Sequence, residues 1–308
     1  MTAQERFGTG PQSYWDRRSE RKTITGYREQ DTLVSYRKLG NGGATMMLAC
    51  GLGGRLYIWE PLLERFSRDW SFITWDYRGL FESNATERIR RLAVPNHAED
   101  AARILDAEGI SSAVFVGWSM GVQVALEFAA LYPERVDKLV LINGTHGHAL
   151  STGFQPLFRI PWLQVALHEA IDWFQGKRRL QRLLAAVGTS RLNCELIGGG
   201  YARLRGQHRI KDLYRQYMED IFATDFGNYL RLFQELDAHS AYHLLRRIPH
   251  PTLIISGLLD YLTPAYQSRE MKRKIPHAEY LCVPGGTHFV LVEYPEKVTE
   301  RIARFLAS

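Results

Sequence analysis

The sequence predicts an α/β protein with a mostly parallel central sheet, helices on both faces and an inserted helical segment. Along residues 22–143, short apolar segments rich in β-branched residues alternate with amphipathic segments. This alternation is typical of a parallel sheet covered by helices. From about Gly147 to Ile248, apolar residues recur only at helical spacing. The alternation then resumes and continues to the C-terminus.

Strands are predicted from two kinds of apolar pattern. The first two segments alternate apolar and polar residues, as strands with one face in solvent do. Most of the later segments are continuously apolar, as expected of parallel strands buried on both faces. The predicted strands are 22–27, 33–39, 45–50, 70–76, 113–116, 136–143, 251–256 and 279–283.

Helices are predicted where apolar residues recur three and four positions apart. They are 58–66, 94–108, 122–131, 162–174, 180–187, 209–236, 264–275 and a terminal helix that ends near residue 306. The inserted helical segment is about 100 residues long, which is too long for a loop. We therefore expect a core of residues 1–146 and 249–308 and a helical subdomain of residues 147–248.

The composition excludes several classes of protein. The chain has 308 residues, of which 45% are hydrophobic, so it can bury a substantial core. The net charge is +6, but the densest basic run, 177–182, is short and is interpreted as a solvated helix face. We therefore expect no nucleic-acid partner. Cys50, Cys194 and Cys282 lie far apart in the sequence, so no disulfide framework is predicted.

Neither a membrane span nor a secretory signal is predicted. The apolar run 113–131 is long enough to cross a bilayer. Gln123 and Glu127 lie in its second half and two glycines interrupt it, which argues against a span. The N-terminus lacks the apolar region of a secretory signal. We therefore expect a cytoplasmic protein.

A serine stands where a predicted strand turns into a predicted helix. The sequence there is Gly-Trp-Ser-Met-Gly at 117–121. A turn this tight brings backbones so close that a Cβ at either glycine would collide. It pushes the Ser119 hydroxyl out of the fold and directs the first N–H groups of the helix towards whatever the hydroxyl attacks. The alternative is a plain turn that connects two core elements.

A serine hydroxyl is a poor nucleophile unless a base activates it and an acid orients the base. In a parallel sheet, such partners follow the carboxyl ends of strands. Asp260 follows the predicted strand 251–256, and His288 follows 279–283. Taken alone, Asp260 could be a helix cap and His288 a loop histidine. The chain order Ser119, Asp260, His288 is the order that accompanies the strained serine turn.

On these residues the sequence resembles the α/β-hydrolase family from about residue 22 to residue 308. The insertion after Asn143 resembles that family's helical cap. The segments 76–79 and 293–296 resemble recurring family segments and are interpreted as structural. In some members the acid follows the strand that ends here at Asn143, but asparagine is uncharged, so Asp260 is the better candidate.

The resemblance implies an oxyanion hole formed by two backbone N–H groups. One belongs to the residue after the nucleophile, Met120. The other belongs to the glycine-rich loop after the third strand and is assigned to Leu52, with Gly53 as the alternative. The family commonly has His-Gly where this sequence has Cys-Gly at 50–51. That change keeps the backbone donor but removes the hydrogen bonds of the histidine.

The remaining site residues are candidates for contact with substrate or are interpreted as inert. Trp118, which precedes the serine, and Gly53, in the glycine-rich loop, are the candidate substrate-binding residues. Cys50 is interpreted as a buried core thiol and not as a second nucleophile. His146 and His148 lack a third ligand at metal-binding spacing, so neither a metal nor another cofactor is expected.

The favoured function is a serine hydrolase that cleaves carboxylic esters of small to medium apolar acids through an acyl-enzyme. Ser119 attacks, His288 acts as the base and Asp260 orients the imidazole. An acyltransferase, or a hydrolase of lactones, thioesters or C–C bonds, would use the same residues, and a non-catalytic ligand receptor is a further alternative. Haloalkane dehalogenases and epoxide hydrolases have aspartate at the turn, which argues against both. Proline iminopeptidases carry a different glycine-rich loop.

Overall fold

The computed structural model describes residues 14–26, 32–84, 92–153, 161–175, 177–193 and 208–308. The strands are β1 Glu20–Thr25, β2 Leu33–Leu39, β3 Ala44–Ala49, β4 Trp70–Trp75, β5 Ala113–Trp118, β6 Val136–Ile142, β7 Thr252–Gly257 and β8 Glu279–Val283. They form one eight-stranded sheet in the order β1-β2-β4-β3-β5-β6-β7-β8. Each strand overlaps a predicted one, and residue 27, the predicted end of the first strand, lies outside the described residues.

The sheet is antiparallel at one edge and parallel through the rest. β1 pairs with β2, and β2 with β4, in antiparallel orientation, whereas every pairing from β4 across to β8 is parallel. Every residue of β5 is buried, because helices cover both faces of the sheet. The loops after β3, β5, β7 and β8 therefore meet at one edge. The mostly parallel α/β fold is confirmed.

The helices are α1 Glu60–Phe66, α2 Val94–Ala107, α3 Met120–Leu131, α4 Ala149–Thr152, α5 Pro161–Gln175, α6 Arg178–Gly188, α7 Arg191–Asn193, α8 His208–Ala223, α9 Phe226–Ala238, α10 Ala265–Lys274, α11 Val290–Glu293 and α12 Pro295–Ala307. On one face of the sheet, α2, α3 and α10 contribute residues such as Ala101, Val124 and Met271 to a buried cluster. On the other face, α1 and α12 contribute Leu62 and Ile302 to a second cluster. The sheet thus separates two hydrophobic cores.

Between β6 and β7, the described residues form helices α4 to α9, one short 3-10 helix and no strand. We call this segment the helical insertion. The prediction of one helix over 209–236 is wrong, because α8 ends at Ala223 and α9 begins at Phe226. Asp225 caps α9 by accepting a hydrogen bond from the backbone N–H of Asn228 at 3.1 Å. Apolar residues keep helical spacing through the break, which is why the pattern does not reveal it.

The end of the insertion is attached to α3, the helix that follows Ser119. The two ring nitrogens of His239 lie 2.5 Å from Gln123 Oε1 and 2.7 Å from Glu127 Oε1. The two polar side chains that argue against a membrane span therefore anchor the insertion. In the part of the chain that the structure describes, no helix is both long and apolar enough to cross a membrane.

Candidate active site

Ser119 lies between β5 and α3, at a turn with unusual backbone angles. Its φ is 56° and its ψ is −117°, a combination that residues with a side chain rarely adopt. Close packing explains the flanking glycines. A Cβ at Gly117 would lie 2.3 Å from the carbonyl oxygen of Gly121, and a Cβ at Gly121 would lie 1.9 Å from that of Ala49. The turn leaves the serine half-buried at the carboxyl edge of the sheet.

The structure brings the three predicted side chains together. Ser119 Oγ lies 2.9 Å from His288 Nε2, and His288 Nδ1 lies 2.9 Å from Asp260 Oδ2. The serine follows β5, the aspartate follows β7 and the histidine follows β8. With the Nδ1 proton donated to Asp260, Nε2 is positioned to accept the serine proton.

Asp260 is only 3% exposed, and several donors hold its carboxylate. The backbone N–H groups of Leu262 and Thr263 each donate to Oδ1 at 2.9 Å, and the Thr263 hydroxyl donates to Oδ2 at 2.7 Å. Burial by itself raises the pKa of Asp260, but the interaction with His288 and the hydrogen bonds outweigh it and lower the pKa. Asp260 therefore stays ionised opposite the imidazole.

Asn143 joins the aspartate loop to the histidine loop. Its Nδ2 donates to Asp260 Oδ2 and, at 2.8 Å, to the carbonyl oxygen of Thr287. The predicted strand 136–143 ends one residue early, at Ile142, because Asn143 has a φ of 44°, a left-handed conformation that asparagine tolerates well. The sequence pattern identifies this position only as one where an acid is missing. Its left-handed conformation and its hydrogen bonds to Asp260 and Thr287 depend on the tertiary structure.

The loop that carries His288 is held from both sides. The backbone N–H of Thr287 donates to Glu293 Oε2 at 2.6 Å, and the Thr287 hydroxyl donates to Glu293 Oε1. The indole Nε1 of Trp118 donates to the carbonyl oxygen of His288 at 2.9 Å. These contacts support the structural interpretation of segment 293–296, since Glu293 fixes the backbone before the histidine.

The predicted oxyanion donors lie on two sides of Ser119. Met120 is the first residue of α3, and N–H groups in the first turn of a helix have no partner within it. Leu52 lies in the loop between β3 and α1. That loop passes beside the serine, since a Cβ at Gly51 would be 2.9 Å from Ser119 Cβ. Gly53, the alternative donor, lies in the same loop.

Aromatic side chains surround the serine and histidine. The Trp118 ring lies 5.3 Å from the His288 ring and 5.5 Å from the Phe289 ring. Trp118 is 1% exposed, so its clearest role is to support the histidine, and its contact with substrate stays a prediction. The same holds for Gly53, which packs against Ile221 of the insertion.

Tyr217, from α8 of the insertion, also reaches the site, and its hydroxyl donates to the Leu52 carbonyl oxygen at 2.6 Å. The sequence pattern does not single it out, because aromatic residues at helical spacing usually form core.

Cys50 lies beside the site but is enclosed. Its Sγ accepts a hydrogen bond from the indole Nε1 of Trp59 at 2.9 Å. Burial raises the pKa of the thiol to about 12, so little thiolate forms at neutral pH. Cys282 is half-buried and free, and Cys194 lies outside the described residues.

The two histidines considered as a metal pair have other surroundings. The His146 ring packs against Tyr242 with 4.9 Å between ring centroids, and burial lowers the pKa of His146. His148 Nδ1 lies 3.2 Å from the Asp237 carbonyl oxygen. Among the described residues, no group of three or more His, Cys, Asp or Glu side chains is arranged to hold a metal ion.

Comparisons with known proteins agree with this architecture. A Caulobacter segnis protein provisionally named carbamate hydrolase RutD is 27% identical over 285 residues, covering 86% of this chain and 92% of that protein. The poly(3-hydroxyalkanoate) depolymerase of Ectopseudomonas oleovorans is 28% identical over 262 residues, covering 85% and 83%. The structure of a thermophilic esterase from Thermogutta terrifontis superposes with a TM-score of 0.70 at 22% identity, covering 94% and 98%.

A family model supplies the classification. The model of the alpha/beta hydrolase fold matches residues 44–295, which include the turn at Ser119, the helical insertion and the loops that carry Asp260 and His288. The match extends over most of the chain, and the sheet order and the helical insertion agree with it. This chain belongs to the alpha/beta hydrolase fold family.

Proposed function

We propose that this protein is a serine hydrolase that cleaves carboxylic esters through an acyl-enzyme. The observation that carries the proposal is the continuous chain of hydrogen bonds from Ser119 Oγ through His288 to Asp260, with 2.9 Å at each step. A serine held at a strained turn beside the start of a helix is suited to attack a carbonyl carbon.

In the proposed reaction, Ser119 Oγ bonds to the ester carbonyl carbon and its proton passes to His288 Nε2. The carbonyl oxygen becomes an oxyanion, for which the backbone N–H groups of Met120 and Leu52 are the donors. Collapse of the intermediate breaks the bond to the alcohol, which takes the proton from His288. A water molecule then loses a proton to His288 and attacks the acyl carbon. The bond to Ser119 Oγ breaks, Oγ takes the proton back from His288 and the acid is released, while Asp260 keeps the imidazole oriented.

The helical insertion, residues 147–248, is proposed to act as a cap over Ser119. Its side chains nearest the site include Tyr217, Ile221 and Tyr229, which are apolar or aromatic. Such a lining favours esters of uncharged, small to medium apolar acids. The names of two relatives suggest carbamates and polyesters of hydroxy acids as further compounds to test.

The decisive experiment compares wild type with Ser119→Ala on p-nitrophenyl esters of increasing acyl length. We expect turnover to fall to background in the variant, and a fluorophosphonate probe to label Ser119 in the wild type only. Ser111→Ala is the matched control, because Ser111 is exposed in the loop before β5, at the opposite end of the strand. Undiminished turnover in Ser119→Ala would refute the proposal.

Acyl transfer is separated from hydrolysis by adding a competing alcohol to the same assay. Ester exchange that exceeds hydrolysis in water would favour a transferase on the same residues. Lactones, thioesters, carbamates and C–C bond substrates complete the panel.

A further inference from the structure

Tyr217 contacts three of the segments that form the proposed site. Its hydroxyl donates to the carbonyl oxygen of Leu52 at 2.6 Å. Its ring lies edge-on to Trp118, with 6.4 Å between centroids, and to Phe289, with 5.7 Å. Trp118 directly precedes the serine, and Phe289 directly follows the histidine. One side chain of the helical insertion therefore touches the loop that carries Leu52, the turn that carries Ser119 and the loop that carries His288.

The Leu52 carbonyl belongs to a tight turn with a defined type. Gly54 N–H donates to the Gly51 carbonyl oxygen at 2.9 Å, and Gly53 has a φ of +77°, whereas Leu52 does not have a positive φ. This combination identifies a type II turn. In a type I turn, the ψ of the second residue is about −30° instead of about +120°. The Leu52 carbonyl would then point in a very different direction, away from Tyr217.

Losing the Tyr217 hydroxyl would leave this carbonyl without that partner in a buried place. Leu52 is only 6% exposed, and a buried carbonyl without a partner is unfavourable enough to drive a local rearrangement. The least demanding rearrangement is a rotation of the peptide within the turn. Such a rotation would turn the Leu52 carbonyl and the N–H of Gly53, the alternative oxyanion donor, and would shift the adjoining Leu52 N–H beside Ser119.

We propose that Tyr217 is a positioning residue that holds the turn 51–54 in its type II conformation. The proposed site is then complete only when the helical insertion is seated on it. This inference rests on the proposed function of Ser119. The cap is then part of the catalytic arrangement, because it holds the loop that stabilises developing negative charge, and does not only cover the substrate.

Other contacts support the same reading. A Cβ at Gly53 would lie 2.9 Å from both Ile221 and Tyr229, so the insertion packs directly on the turn. The Tyr229 side chain also lies near the Tyr217 hydroxyl and, after burial, contributes to raising its pKa. Burial raises the pKa of Tyr217 well above its ordinary value, so this hydroxyl stays protonated and can donate at any working pH.

The test uses Tyr217→Phe, which keeps the ring and removes only the hydroxyl. We measure kcat and KM for a p-nitrophenyl ester, and Ki for a trifluoromethyl ketone that carries the same acyl group. Ser119 Oγ adds to the ketone carbon, its proton passes to His288 and the ketone oxygen becomes an oxyanion. We expect kcat to fall and Ki to rise, each about tenfold, with KM within about twofold, because a displaced donor loses part of the hundredfold or larger effect of a complete donor.

Tyr132→Phe is the matched control. The Tyr132 hydroxyl donates to Glu99 at the far end of α3, away from the oxyanion donors. The kcat and Ki of Tyr132→Phe should therefore stay within about twofold of wild type. Thermal melting shows whether each variant is folded. A folded Tyr217→Phe with unchanged kcat and Ki would overturn the inference, as would a rise in KM alone, which would indicate a substrate contact.

The rate of Ser119 phosphonylation by a fluorophosphonate separates this inference from the proposed function, because it needs no ester turnover. If wild type is labelled but hydrolyses no ester, the ester assignment fails. Labelling about tenfold slower in Tyr217→Phe would still support the inference, since the phosphoryl oxygen occupies the same hole. Equal labelling rates would overturn it, and absence of labelling in the wild type would overturn both.

Discussion

Asn143 illustrates how much a single buried side chain can organise at this site. Its amide group donates to the Asp260 carboxylate and to the Thr287 carbonyl, so one residue at the end of β6 fixes two loops at once. The site therefore depends on polar side chains that do not themselves take part in the proposed reaction.

Asn143→Ala is expected to lower kcat/KM about tenfold, since a hydrogen bond to a charged group contributes about 1.5 kcal/mol and 1.4 kcal/mol equals a factor of ten. The effect stays moderate because Leu262 and Thr263 still hold Asp260. Steady-state kinetics on the best ester checks it. Asn41→Ala, at an exposed loop position, is the control, and full activity of Asn143→Ala would show that the bridge is dispensable.

Cys50 should be unreactive in the folded protein. Its thiol is buried and bonded to Trp59, and burial raises its pKa to about 12, so the thiolate that alkylating reagents require is scarce at pH 8. Iodoacetamide followed by mass spectrometry of tryptic peptides measures the reaction. Cys282 is half-buried and serves as the internal comparison. Alkylation of Cys50 as fast as that of Cys282 would contradict the expectation.

At the scale of elements, the turn at Ser119 depends on close contact between β3, β5 and α3. The two glycines that flank Ser119 allow α3 to start directly over β3, where any larger residue would clash with backbone. A second contact between elements joins the insertion to the core, where Asp220 on α8 lies 4.0 Å from Arg55.

Gly121→Ala should destabilise the protein by about 2 kcal/mol or more, because its Cβ would lie 1.9 Å from the Ala49 carbonyl oxygen and force α3 away from β3. The free energy of unfolding in urea measures the effect. Gly43→Ala is the control, since a Cβ there would meet nothing within 4 Å. Equal stability of the two variants would mean that α3 can shift without penalty.

Asp220 should make stability depend on pH. Burial raises its pKa to about 6, although Arg55 and Tyr57 act to lower it, while Asp76 and Glu219 act to raise it. Because the pKa is near 3.9 in the unfolded chain, the folded state binds more protons between about pH 4 and pH 6. The free energy of unfolding therefore falls as pH rises through this window, by about 2 kcal/mol.

Asp220→Asn should remove this fall in the free energy of unfolding with rising pH. The stability of the variant relative to wild type should rise by about 2 kcal/mol between pH 4 and pH 7, and any pH-independent effect of losing the contact with Arg55 cancels in this difference. Urea unfolding at the two pH values measures it. Asp212→Asn, an exposed position on the same helix, is the control. If the free energies of unfolding of variant and wild type differ by the same amount at both pH values, Asp220 does not cause the pH dependence.

At the scale of the whole molecule, a buried ion pair links the sheet to the helix layer. Arg78 follows β4, and its guanidinium donates to both carboxylate oxygens of Asp100 on α2, at 2.6 Å each. Both side chains are fully buried. This contact supports the structural interpretation of segment 76–79, and it attaches α2 to the end of the strand.

Asp100→Asn should destabilise the whole fold by about 3–5 kcal/mol, because it removes the carboxylate charge that balances the buried Arg78 guanidinium. Chemical denaturation with the protein at neutral pH provides the measurement. Asp106→Asn, also on α2, breaks an ion pair with Arg135 in which the carboxylate is 64% exposed, and should change stability by about 1 kcal/mol or less. Similar losses in the two variants would contradict the expected importance of burial.

The sequence predicts the sheet well because burial on both faces leaves continuous apolar strands, as in β5. It does not reveal the break between α8 and α9, because Asp225 caps a helix without interrupting the apolar spacing. The catalytic roles of Ser119, Asp260 and His288 and the bounds of the cap stay predictions. Their proximity is a result of the structure.

Sequence alone determined the α/β alternation, the glycine-flanked serine turn and the order of serine, aspartate and histidine. The first two depend on residues close in the chain, and the third is simply their order along it. Only the tertiary structure decided that Asn143 bridges two loops and that Tyr217 reaches Leu52, a residue 165 positions away. Such contacts depend on backbone direction and on the packing of distant elements, which apolar periodicity does not encode.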